Sequence, residues 1–190
     1  DPEEVWNYEL GFKMDAWEQK LRLNTAVFYT DYKDRQLTTI RISPEGRIAG
    51  ALINAESSYI SGIEFEAIVL PVDNLQLTAN VTFNESDIET YDDFQVSAIT
   101  PDTPPECELI NVGTGQVANC PIDRSNESMP RLPDSVFYLA AQYTFETEYG
   151  TVVPMLSWSY RTNLDNCFDA SSCISGIYKV DQEDITARLT

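Results

Sequence analysis

Between Gly62 and Asn84 the chain reads GIEFEAIVLPVDNLQLTANVTFN. Ile63, Phe65, Ala67 and Val69 alternate with Gly62, Glu64, Glu66 and Ile68. Beyond a break at Pro71–Asn74, Leu75, Leu77, Ala79, Val81 and Phe83 alternate with Gln76, Thr78, Asn80, Thr82 and Asn84. A period of two on both sides of a turn predicts a β-hairpin with one apolar and one polar face. Seven extended segments of this kind can be marked: about Val5–Asp15, Lys20–Ile42, Arg47–Leu70, Leu75–Glu89, Ser135–Phe145, Thr151–Arg161 and Val180–Thr190. The stretch Thr90–Pro133 holds six of the ten prolines and reads as one long irregular connection. No long helix is predicted.

The connections fall into two kinds. Those at Asp15–Gln19, Pro71–Asn74 and Glu146–Gly150 are tight, whereas Ser43–Arg47, Thr90–Pro133 and Thr162–Ser175 tend to be longer. Short turns at one end of a sheet and long loops at the other are the pattern of an outer-membrane barrel, and apolar strips of about 9–11 residues suit its tilted strands. In such a wall Leu21, Leu23, Phe65, Leu77, Val81, Phe83, Leu139 and Trp158 would face lipid. Asn7, Glu9, Lys13, Arg22, Asn24, Glu64, Glu66, Gln76, Thr78, Asn80, Gln142 and Arg188 would face a watery lumen. Glu64 and Glu66 are expected to pair with Arg22 or Lys13 across strands. Aromatic rings are expected at both interfaces: Tyr8, Tyr29, Tyr59, Phe83, Trp158 and Tyr160 toward the long loops, Tyr143 and Phe145 toward the short turns. The alternative is a secreted soluble β-sandwich that binds carbohydrate or protein. It would pack Phe65, Leu77, Val81 and Leu139 into one dry core.

Composition removes several other classes. The chain has 190 residues, a net charge of −19 and no histidine. That acid excess excludes a nucleic-acid binder, since phosphates require Lys and Arg. A His-based triad and the HExxH zinc motif are impossible, and no Rossmann or P-loop glycine pattern occurs. No catalytic, metal or cofactor site is expected. No apolar run reaches the ~18 residues of a membrane-spanning helix. The start, DPEEVWNYEL, lacks the basic end and apolar stretch of a signal peptide, so the chain is expected either to stay in the cytosol or to be a piece of a longer exported protein. Cys107 and Cys120 bracket one loop, and Cys167 and Cys173 another. Two local disulfides in an oxidising compartment are expected, with four free thiols as the alternative. Between Glu85 and Asp134 stand eleven acidic residues against Arg124 and Arg131. Such a loop repels anions at range and disfavours an anionic ferric catecholate as cargo.

Four stretches carry a family likeness: PEEVWNYELGFK at Pro2–Lys13, LRLNTAVFYTDYKDRQ at Leu21–Gln36, NAESSYISGIEFEAIVLPVDNLQLTANVTF at Asn54–Phe83 and RLPDSVFYLAAQYTF at Arg131–Phe145. Their order and spacing resemble the C-terminal part of the barrel of TonB-dependent outer-membrane receptors, and SGIEFEA is especially similar to a strand of that family. DITARLT at Asp184–Thr190 resembles the strand ahead of its last hairpins. The resemblance implies an all-β fold: an antiparallel transmembrane barrel segment, about seven strands of a closed ring of about 22, with short periplasmic turns and long extracellular loops. Residues 1–190 would be a partial barrel domain, with the plug domain and the C-terminal strands lying outside this chain. The resemblance further implies a non-enzymatic importer in the bacterial outer membrane, energised through TonB by way of the plug. Its partners would be outer-membrane lipid and lipopolysaccharide, and its cargo a scarce nutrient, most commonly a ferric siderophore. A passive porin-type channel would share the barrel without the plug.

Overall fold

A computed structural model describes residues 2–43, 46–113, 115–123, 125–165 and 179–190. Among them the only regular elements are strands. They are β1 (Glu4–Ala16), β2 (Leu21–Ile42), β3 (Ile48–Val69), β4 (Leu75–Thr90), β5 (Asp92–Ala98) and β6 (Glu108–Val112), followed by β7 (Gly115–Asp123), β8 (Ser135–Tyr143), β9 (Phe145–Thr147), β10 (Gly150–Val152), β11 (Pro154–Asp165) and β12 (Lys179–Leu189). The seven segments marked by alternation all lie in one sheet, in the order β1-β2-β3-β4-β8-β11-β12. Pairing is antiparallel between β4 and β8, β8 and β11, and β11 and β12. The connections among β1–β4 are too short for a parallel crossover, which needs about a dozen residues or more, so these neighbours are antiparallel as well.

The register sorts the side chains into two faces, because residues opposite one another point the same way. Gln76, Gln142, Met155 and Arg188 form one row. The next row is Leu77, Ala141, Leu156 and Ala187, and a further one on that same side is Ala79, Leu139, Trp158 and Ile185. Gln76, Thr78, Asn80, Gln142 and Arg188 thus share the polar face, while Leu77, Val81, Phe83, Leu139 and Trp158 share the apolar one. No second layer covers the apolar face among the described residues. Phe65 is 38% exposed, Leu77 39%, Leu139 47% and Leu156 57%. The dry core that a sandwich would place at these positions is not formed.

The molecule divides into two units. One comprises Asn7–Thr30, Ile60–Ser86 and Ser128–Thr190, and it holds the rows just described. In it Asn84 N–H donates to the Asp134 carbonyl at 2.8 Å and Met129 N–H to Ser86 Oγ at 3.0 Å, tying the start of β8 to the end of β4. The other comprises Asp1–Trp6, Asp31–Tyr59 and Asp87–Glu127. Most of the fully buried apolar side chains are here: Ile88, Tyr91, Ile110 and Ala118.

This second unit corrects the expectation of an irregular Thr90–Pro133 stretch. It contains a three-stranded antiparallel sheet in the order β5-β7-β6. Acidic and proline residues dilute the alternation that would have revealed these strands. Pro121 is tolerated in β7 because it lies beyond the last pair with β6, Glu108↔Asn119, and faces only Phe94 of β5. The tight connection after β8 also has structure, a small hairpin of β9 and β10 with Thr147 paired to Gly150.

Candidate functional site

The polar face is held together by cross-strand contacts among the residues the alternation placed there. Arg22 lies beside Asp15 across the β1–β2 turn, Nε to Oδ1 at 2.8 Å. Thr30 Oγ1 donates to Asn7 Oδ1 at 2.7 Å, and Asn24 Nδ2 donates to Glu66 Oε2 at 3.0 Å. From the opposite, apolar parity of β2, Thr25 Oγ1 donates to the Glu64 backbone carbonyl at 2.9 Å. The expected partnership of Glu66 with Arg22 or Lys13 is therefore corrected: Glu66 takes an amide, and Arg22 takes Asp15. The tight turn brings Asp15 to Arg22 first, and the next polar position along β2, Asn24, is the one that meets Glu66. Glu9 and Lys13 are exposed on the same strand parity as Asn7 and Asp15.

Gly62 has a steric reason within this face. A Cβ there would stand 2.6 Å from Cζ of Phe28 and 2.5 Å from the Phe83 carbonyl oxygen. The ring of Phe28 lies in the space that only a hydrogen leaves open, which explains why the SGIEFEA segment carries glycine at this position.

On the apolar face three of the rings expected toward the long loops, Phe83, Trp158 and Tyr160, cluster with Phe137. Phe83 meets Phe137 edge-on at 5.8 Å, Phe137 stacks with Tyr160 at 6.4 Å, and Tyr160 stacks with Trp158 at 5.9 Å. Their polar tips reach β12: Trp158 Nε1 donates to Glu183 at 2.7 Å and the Tyr160 hydroxyl to Asp181 at 2.8 Å. Near the short turns Tyr143 lies 4.6 Å from Phe145. Leu21 and Leu23 are half-buried on the parity opposite Arg22 and Asn24. An apolar hollow of about 500 Å³ lies among Ala67, Leu77, Ala79, Leu139, Leu156 and Trp158, where small and large side chains alternate.

In the loop sheet Cys107 and Cys120 form a disulfide. The register explains it, because Glu108 faces Asn119 and the next pair outward is Cys107 and Cys120. Cys167 and Cys173 lie outside the described residues. A bridge closing a loop of this size contributes about 3 kcal/mol. Converting both Cys107 and Cys120 to serine is expected to speed protease cleavage within residues 92–123 by about two orders of magnitude. Timed proteolysis of intact cells reads this, and an unchanged rate would mean that the bridge does not hold the sheet. Asp123, at the end of β7, has its carboxyl held below the usual range by hydrogen bonds from Ser125, whose N–H lies 2.8 Å from Oδ1.

One cluster was not legible in the sequence. Asp34 adopts a positive φ of 52°, and the Arg35 guanidinium lies over the Tyr32 ring, 5.6 Å from its centroid. The only sequence signal was an arginine inside a strand of a chain with 31 acidic and 12 basic residues.

A family profile described as "TonB dependent receptor-like, beta-barrel" matches residues 1–179. The chain belongs to that family, whose members are barrels of the bacterial outer membrane. Among solved structures it is similar to the ferric yersiniabactin uptake receptor FyuA from Yersinia pestis, with a TM-score of 0.61 and 20% identity. The likeness covers 98% of this chain and 22% of that receptor. No curated protein sequence matches the chain.

Proposed function

We propose that this chain is part of the barrel wall and outer loops of a TonB-dependent importer, and that its cargo is a ferric siderophore. The apolar face meets hydrocarbon, with Leu21, Leu23, Phe65, Leu77, Val81, Phe83, Leu139 and Trp158 outward. The polar face, from Asn7, Glu9, Lys13, Arg22 and Asn24 through Glu64, Glu66, Gln76, Thr78, Asn80, Gln142 and Arg188, lines the lumen. The carrying observation is the uncovered apolar face, with Leu139 47% and Ile185 70% exposed. Burying a Leu, Ile or Phe is worth about 1.5–3 kcal/mol. Leaving half a dozen in water forgoes roughly 10 kcal/mol, as much as a whole domain's stability. Lipid tails resolve that deficit without a second protein layer.

The rest of the proposed mechanism is taken from the family to which the chain belongs. Outer loops capture the cargo, and the plug, outside this chain, rearranges under TonB to let it pass. The wall performs no bond chemistry. The aromatic cluster with Asp181 and Glu183 marks the outer boundary, where lipopolysaccharide replaces hydrocarbon. The iron cargo is supported by family membership and by the ferric-chelate receptor among its structural relatives. Deleting the gene in its host is expected to abolish uptake of radiolabelled iron from one siderophore, and loss of TonB is expected to do the same. Undiminished uptake of every siderophore the host uses would refute the assigned cargo, and uptake that does not depend on TonB would refute the transport mode.

A further inference from the structure

We infer that the three short turns of the wall lie in the headgroup layer of the inner leaflet. Trp17, Val72 and Tyr149 anchor them there, among phospholipids with ammonium-bearing headgroups. The inference rests on the membrane reading above and adds a lipid contact at the turn tips.

All three turns belong to the unit that holds the apolar rows. They form one continuous rim. Leu70 N–H donates to the Lys20 carbonyl at 2.7 Å, and Thr144 N–H to the Asn74 carbonyl at 2.9 Å. Each turn presents one apolar or aromatic side chain to its surroundings. Trp17 is 67% exposed, Val72 56% and Tyr149 98%. The turns themselves need none of these side chains, since Gly, Pro, Asn, Asp and Ser make turns best. In the first turn Trp17, Glu18 and Gln19 all adopt positive φ, at 59°, 55° and 68°. Bulky residues rarely hold that conformation, and such outliers gather where a side chain serves a contact. In the third turn Gly150 takes a φ of 134°, and Tyr149 stands at the tip between β9 and β10.

The rim adjoins the lipid face, where the Tyr143 and Phe145 rings pair just ahead of the third turn. That pair belongs to the expected aromatic belt, and the three tips lie beyond it. Neighbouring turns are two strands apart, roughly 10 Å. Glu18, Asp73 and Glu148 each stand next to a tip residue. A protein partner wants a contiguous apolar patch, which these charges interrupt. A headgroup layer runs the whole length of a rim and suits rings with an apolar body and a polar tip. Charge then selects the headgroup. The exposed turn residues include Glu18, Asp73, Glu146 and Glu148 against Lys20. Carboxylates favour ammonium-bearing headgroups and are repelled by an all-anionic surface.

The test uses the full-length receptor reconstituted in vesicles. W17C, V72C and Y149C each carry a nitroxide label. L139C serves as the hydrocarbon reference and D102C, at an exposed loop position, as the water reference. Signal from label taken up by the parent receptor is subtracted. Collision with oxygen and with a water-soluble nickel chelate reads the depth. In vesicles rich in phosphatidylethanolamine the three tips are expected to fall between the two references. In vesicles of phosphatidylglycerol alone they are expected to shift toward D102C. Tips as wet as D102C in both lipids would overturn the inference. Labels shielded from oxygen and nickel alike in outer-membrane fragments would overturn it too, in favour of a protein partner. Equal depth in both lipids would overturn the headgroup assignment. If W17C does not assemble, V72C and Y149C carry the same comparison. Wet tips in a receptor whose L139C label stays in hydrocarbon leave the membrane reading standing. An L139C label as wet as D102C would sink that reading instead.

Discussion

Leu139→Arg is expected to prevent most of the receptor from assembling in the outer membrane, whereas Thr78→Arg leaves assembly intact. Leu139 is the middle residue of β8 and sits in the apolar row with Ala79, Trp158 and Ile185. Arginine on the lipid face at mid-depth costs about 2–4 kcal/mol. Losing the leucine contributes about 1.5–3 kcal/mol more. The sum rivals the total stability of an ordinary domain, about 5–15 kcal/mol. Thr78 lies on the other face opposite Ala140, the face that the proposed function turns toward the watery lumen. The folded fraction can be read by heat-modifiable gel migration of outer-membrane extracts. Equal folded fractions for the two variants would show that lipid does not cover the Leu139 face.

Gly62→Val is expected to cost about 1–3 kcal/mol or more through overpacking, with Gly62→Ala already harmful. Two obstacles stand within contact of the missing Cβ, the Phe28 ring and the Phe83 carbonyl. A side chain can swing away, but a backbone carbonyl in the neighbouring strand cannot. Adding Phe28→Ala to Gly62→Ala should therefore recover part of the loss and not all of it, a non-additivity expected of touching residues. Denaturant titration of the refolded receptor measures both terms. Full recovery would mean that the carbonyl yields, and no recovery would mean that the ring was never the obstacle.

The sheet was legible because alternation runs unbroken through most of its strands. Leu75–Phe83 keeps strict period two, and Ser135–Tyr143 follows it through nine registered pairs with Phe137, Leu139, Ala141 and Tyr143 on the same face as Val81, Ala79, Leu77 and Leu75. β5–β7 were not legible, because Pro121, the acidic residues and a disulfide replace the apolar signal that periodicity needs. Partner identity was less legible than facing. Parity put Arg22, Asn24 and Glu66 on one side, but only the register and the turn decide that Arg22 meets Asp15. Arg35 escaped for a related reason: the left-handed conformation of Asp34 returns it to the side of Tyr32, and nothing in DYKDRQ marks Asp34 as that residue.

The strand order carries a piece of arithmetic. Seven strands in strict up-and-down succession leave β1 and β12 heading the same way. Two strands with a common heading cannot be antiparallel partners. Any closed cylinder that includes this sheet must therefore insert an odd number of extra staves between its two margins, and counting them in the complete receptor is a check that needs no cargo at all.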